Sequence, residues 1–202
     1  MMGNSRAADA TAFVLPELGW CVDAGDVVKN LRPRELFLTH PHSDHIHVLP
    51  RMKSRTTCPN IYAPAHALEL IEDFLQAAQE LSINHRLRAD ESWEPAYRLV
   101  GVEPGDVLKI RRGKERFVVE VVGTTHTVPS VGYVMCEERM KLKPEFARVP
   151  GVDLGALRAK GSEISAPVRT PYIAFLGDTT PKVFADHPEV LRAPVVVTEC
   201  SF

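Results

Sequence analysis

The sequence predicts an α/β protein in which helices cover sheets. Short apolar runs of strand composition recur along the chain, and one clear amphipathic helical stripe falls between them. Sixteen prolines and twelve glycines, spread throughout, call for many turns and short elements rather than a helical bundle. With 202 residues the chain is long enough to bury a sizeable core as one domain.

In order, Ala12 to Leu15 and Trp20 to Val22 read as strands around the turn Pro16-Glu17-Leu18-Gly19, after a polar start. Asp23-Ala24-Gly25-Asp26 ends the second strand. A carboxylate there, beside a glycine that lets backbones approach, can buttress a neighbouring loop; equally, Asp and Gly hold their usual places in a turn. Glu35 to Thr39 is a buried strand, and Ile46 to Leu49 begins a helix that Pro50 interrupts. Arg51, Lys53 and Arg55 follow as a basic triplet that would attract phosphate or simply form a solvated face. Ile61 to Ala63 is a strand, and Pro64 suits the first turn of the next helix. In that helix Leu68, Ile71, Leu75 and Ala78 recur at helical spacing and give one apolar face for a sheet.

Tyr97 to Val100, Val107 to Ile110 and Phe117 to Val122 are further strands, the last two joined by the charged tip Arg111 to Lys114. Val131 to Met135 is another. Lys141 to Ile164, with Pro144, Pro150-Gly151 and Gly155, reads as irregular with short helical turns, a segment suited to a substrate wall. Tyr172 to Leu176 and Pro194 to Thr198 are the last strands.

The net charge of −2 and pI near 6.4 exclude a protein that coats nucleic acid non-specifically, though not a local basic patch. Cys21, Cys58, Cys136 and Cys200 are scattered, with no Cys-x-x-Cys pair, so neither a zinc ribbon nor a disulfide framework is indicated. A reducing, cytoplasmic setting is the expectation, with nucleus or organelle as alternatives. No apolar run approaches the roughly 18 residues of a membrane helix.

The chemistry concentrates in Thr39-His40-Pro41-His42-Ser43-Asp44-His45, which puts three imidazoles and a carboxylate inside six residues. On extended backbone His40 and His42 face the same side and can share an ion. Asp44 and His45, beyond a turn at Ser43, are free to face a second. Two later segments repeat the placement of a ligand just past a strand. His126 follows Phe117 to Val122, and Asp178 follows Tyr172 to Leu176, where a carboxylate can bridge two divalent ions.

Taken together, Val22-Asp23-Ala24-Gly25, the His40 to His45 run, His126-Thr127-Val128-Pro129-Ser130-Val131-Gly132-Tyr133, Phe175-Leu176-Gly177-Asp178-Thr179 and Glu199-Cys200-Ser201-Phe202 resemble the metallo-β-lactamase superfamily. The segments after His126 and around Asp178 resemble its ribonuclease Z (tRNA 3′-endonuclease) branch. The resemblance implies an αββα sandwich over residues 1–202, a single domain short of C-terminal elements. It implies two zinc ions, with manganese or iron as alternatives: His40, His42 and His126 on one, Asp44 and His45 on the other, Asp178 bridging, and Asp44 also orienting the attacking hydroxide. The implied reaction is phosphodiester cleavage by metal-bound hydroxide, on precursor tRNA or a small phosphodiester. The missing elements would leave sheet edges and apolar faces open, for a homodimer partner or a further tail to cover, and no membrane role is expected.

Two departures from the family pattern stand out. No glycine-rich first strand precedes Ala12. The family's further histidine ligand and its proton-donating histidine motif have no counterpart, since His47, His66, His85 and His187 do not follow strands in that way. Rival readings are therefore a hydrolase of thioesters, lactones or β-lactams on the same fold, or a non-catalytic binding or scaffold protein.

Overall fold

The computed structural model describes residues 1–28, 32–52, 58–87 and 96–200. Lys53 and Arg55 of the basic triplet, and Ser201-Phe202 of the last motif, lie outside them.

One sheet follows chain order: β1 (Met2–Arg6), β2 (Ala10–Leu15), β3 (Trp20–Val22), β4 (Glu35–Phe37), β5 (Asn60–Pro64) and β6 (Arg98–Val102). The first three strands run antiparallel and β3 to β6 parallel. Gly19, at φ +69°, turns the β2–β3 hairpin in the left-handed region that glycine tolerates best. Parallel neighbours need a crossover, and α2 (Leu68–Ile83) supplies the one between β5 and β6, burying Ile71 and Leu75 of the predicted stripe.

The second sheet contains β7 (Val107–Arg112), β8 (Glu115–Thr124), β9 (Ser130–Leu142), β10 (Ser165–Thr179) and β11 (Val196–Cys200), ordered β11-β10-β9-β8-β7. Only β11 joins its neighbour in parallel. Trp20, Phe37 and Tyr62 from the first sheet pack with Phe117, Tyr133 and Phe175 from the second in one core between them. A second cluster packs the outer face of the first sheet against α2. A third sets α4 (Lys182–Asp186) and the 3₁₀ turn Pro188–Arg192 on the second sheet. The layers are helix, sheet, sheet, helix, the expected αββα sandwich. No helix among the described residues is long and apolar enough to cross a membrane.

Several elements differ from the sequence reading. The polar start forms β1, whose alternation of half-buried and exposed residues at an edge gives no apolar run to recognise. β10 is fifteen residues long and includes Pro167 and Pro171. Its ladder shifts register between Pro171 and Ile173, and a proline is compatible with such an irregularity. The outer parts of β9 and β10 are mostly exposed, Met140, Leu142 and Val168 included, so the backbone ladder and Arg169, 2.9 Å from Glu120 and 3.4 Å from Glu138, hold them without a buried apolar face. Between them lie the 3₁₀ turn Pro144–Phe146 and the exposed helix α3 (Gly151–Ala159). Pro64 ends β5 instead of opening α2, and Pro50 sits inside a 3₁₀ turn, Leu49–Arg51.

Candidate metal centre

The histidine run leaves the first sheet at the end of β4 and is pinned from the second. Tyr133, fully buried, donates its hydroxyl to the Leu38 carbonyl at 2.7 Å, and Val131 N–H donates to the Thr39 carbonyl at 3.0 Å. Beyond His42 the chain rolls into the single helical turn α1 (Ser43–Ile46), which carries Asp44 and His45. That turn replaces the simple bend expected at Ser43. Ala24 N–H donates to the His45 carbonyl at 2.6 Å, and Val48 N–H to the Ala24 carbonyl at 2.9 Å. The approach requires a glycine next door: a Cβ on Gly25 would lie 1.6 Å from the Asp44 carbonyl oxygen.

Two overlapping ligand groups result. His40, His42 and His126 form one, and His40, His45 and Asp178 the other; within each, the ligand atoms lie within 4.8 Å of one another. His42 Nδ1 and His126 Nε2 are 3.0 Å apart. Two nitrogens on a tetrahedral zinc stand about 3.3 Å apart, so this spacing is close to that of a shared ion. Asp178 reaches both sides, with Oδ1 3.4 Å from His45 Nε2 and Oδ2 3.8 Å from His126 Nε2. Asp44 stands at the edge, its Oδ2 3.6 Å from His45 Nε2. It is outside both groups.

Asp23 is the buttress under this cluster, which decides between its two sequence readings. It is buried at φ +57° and receives the Thr39 backbone N–H at 2.8 Å and His45 Nδ1 at 2.9 Å. The Thr39 hydroxyl bridges Asp23 and His40 Nδ1. Burial, then repulsion from His45, drives the His40 imidazole down to about 3, so it is a neutral donor. Burial opposes charge on His45 too, but Asp23 and Asp178 overcome it and raise that imidazole to about 10. Burial also lowers His126. Burial pulls the Asp178 carboxyl up, and the adjacent His45 more than offsets it, leaving a net downward shift.

The residues fit a metal. His40 Nε2, His45 Nε2 and Asp178 Oδ1 are buried without a hydrogen bond, a costly arrangement that an ion relieves. Imidazole and carboxylate are the donor types that suit zinc. Five of the six sequence-predicted ligands fall in the two groups, with His40 common to both. Among the described residues His47, His66, His85 and His187 join neither. His47 bonds the Ser43 carbonyl and His187 pairs with Glu189. Arg51 is exposed.

Sequence reasoning missed two polar residues around the cluster. Thr39 was read only as the end of a strand. Thr11 was read as part of the polar start, yet its hydroxyl donates to Glu199 at 2.5 Å and ties β2 to β11 across the sandwich. Neither hydroxyl has a local signature, since the carboxylate each one meets, Asp23 or Glu199, is distant in sequence.

The family model described as the metallo-beta-lactamase superfamily matches residues 19–139. A chloroplastic tRNase Z of Arabidopsis thaliana is 31% identical, over 99% of this chain and 55% of its own length. A second Arabidopsis tRNase Z is 30% identical, over 99% of this chain and 70% of its own. A nuclear ribonuclease Z of Triticum aestivum is 30% identical, over 82% of this chain and 91% of its own. The chain thus spans about half the length of the first of these relatives. It belongs to the metallo-beta-lactamase superfamily and, within it, to the tRNase Z, or ribonuclease Z, family.

Proposed function

We propose that this protein is a metal-dependent phosphodiesterase that cuts precursor tRNA at its 3′ end. The observation that carries the reading is the convergence of His40 Nε2, His45 Nε2 and Asp178 Oδ1, buried and without hydrogen bonds, beside His42 and His126. The names of the relatives support tRNA as substrate and favour a phosphodiester over a thioester, lactone or β-lactam.

In this reading His40, His42 and His126 hold one zinc, Asp44 and His45 a second, and Asp178 bridges. Zinc is preferred to manganese or iron because the donors are mostly imidazole. Bound there, the metal supplies water of lowered pKa and positive charge for phosphate oxygens. Asp44, more accessible than His45, is the carboxylate that orients the attacking water and takes its proton. Two copies pair, an assignment supported by Leu70, Leu81 and Ile83, which α2 leaves exposed. Sedimentation at micromolar concentration tests the pairing, and a monomer would refute it.

The zinc-loaded protein is expected to release the 3′ trailer from precursor tRNA. His42→Ala and Asp178→Ala should each lower bound zinc and cut the rate by at least about 100-fold, the scale of losing a metal's charge stabilisation. Uncut precursor with fully zinc-loaded wild-type protein would overturn the substrate. Unchanged zinc in both variants would overturn the ligands.

A further inference from the structure

We propose that Thr39 is a positioning residue that sets the tautomer of His40, so that one buried carboxylate, Asp23, presents both His40 and His45 to the metal. The proposal rests on the metal-hydrolase reading above and adds a residue to it.

The protons available around Asp23 fix the tautomer. Asp23 faces the Thr39 backbone N–H at 2.8 Å and His45 Nδ1 at 2.9 Å, so it accepts at both oxygens. The Thr39 hydroxyl lies 3.1 and 3.0 Å from those same oxygens. It has a single proton, and that proton goes to the carboxylate. Its oxygen is also 3.0 Å from His40 Nδ1. With the hydroxyl proton committed, that contact is a hydrogen bond only if Nδ1 carries the hydrogen. The His40 lone pair is then on Nε2, the buried atom without a hydrogen bond, on the residue that the two ligand groups share. Asp23 orients His45 directly, taking its Nδ1–H and aiming Nε2 toward Asp178. Reversing the hydroxyl would put a proton on His40 Nε2 and block the ligand.

Packing holds the hydroxyl in place. Gly177, at φ +59°, presses on the Thr39 side chain so closely that a Cβ would lie 2.7 Å from Oγ1, 2.8 Å from Cβ and 3.0 Å from Cγ2. The branched side chain is wedged between Asp23 and the turn that delivers Asp178, and its few rotamers do the rest.

Two variants test the assignment on the full chain. Thr39→Val keeps the shape and removes the hydroxyl. Asp23→Asn suits φ +57° and replaces one of the two acceptors facing the hydroxyl with an amide donor, which loosens the hold on its proton and lets it turn toward His40. Long-range ¹H–¹⁵N spectra of the metal-free protein report which imidazole nitrogen carries hydrogen, and chelator competition reports zinc affinity. In wild type and Thr39→Ser, His40 should be the Nδ1–H form. In Thr39→Val and Asp23→Asn it should shift toward Nε2–H, with zinc affinity lowered on the order of 10- to 100-fold. Should one variant fail to fold, the other decides. An unchanged His40 tautomer in a folded variant, with zinc affinity within about twofold of wild type, would overturn the proposal. Wild-type protein that binds no zinc would overturn the metal reading instead, and the metal-free spectra would still decide the tautomer.

Discussion

His40 and His45 stand with ring centroids 4.0 Å apart and opposite demands for a proton. Burial and His45 leave His40 neutral, whereas Asp23 and Asp178 keep His45 protonated up to about pH 10. A metal needs the neutral form of both, so its binding at His45 must expel a proton. The sign follows: below pH 10 the proton competes with the metal, and affinity rises with pH by roughly tenfold per unit. Calorimetric zinc titrations at pH 8, repeated in buffers of different ionisation enthalpy, should show about one proton released per chain from this group. Release that is absent would contradict the state assigned to His45. At this scale the sequence made the candidate ligands legible as a cluster, because three imidazoles in six residues have no common structural use. The hydroxyl of Thr39 was not legible, since its role depends on Asp23, sixteen positions earlier, and on Gly177 far downstream.

The elements around the cluster are fixed by close backbone approaches, and these too make predictions. Gly25→Ala would drive a methyl group into the Asp44 carbonyl and push α1 away from β2. It should cost about 3 kcal/mol, the upper end of ordinary overpacking, read as a lower urea midpoint with unchanged slope. A variant as stable as wild type would mean the approach is looser than described. Tyr133→Phe removes the donor to the Leu38 carbonyl and leaves that buried acceptor unpaired. The expected loss is about 1 to 3 kcal/mol, and zinc binding should weaken with it because the histidine run loses an anchor. Short apolar runs made most strands readable, and the apolar stripe revealed α2. β1 and the outer halves of β9 and β10 were hidden because backbone pairing and surface ion pairs hold them, leaving little apolar periodicity.

In the molecule as a whole, the site spans both sheets. His40, His42 and His45 come from the end of the first, His126 and Asp178 from the ends of β8 and β10 in the second. Their distances are therefore set by the inter-sheet core, where Trp20 meets Phe117 at 5.2 Å, Phe37 meets Tyr133 at 5.3 Å and Phe13 meets Phe175 at 5.8 Å between ring centroids. Trp20→Ala, at the centre of this packing, should lose about 3 to 5 kcal/mol on thermal or chemical unfolding. If it folds, its zinc affinity should fall as well, although Trp20 is not among the ligands. The layered architecture was legible because strands outnumbered helices while one helix kept a clean apolar face. The parallel pairing of β4 with both β3 and β5, and the long β9–β10 excursion, were not, since both depend on contacts distant in sequence.

Everything proposed for this protein depends on whether the two overlapping ligand groups hold the catalytic metal. Anomalous diffraction at the zinc edge, from crystals of the full chain grown with zinc, tests it most directly. The account predicts a peak coordinated by His40, His42 and His126, with a second peak beside His45 and Asp178. Zinc bound elsewhere, with these side chains left free, would contradict it.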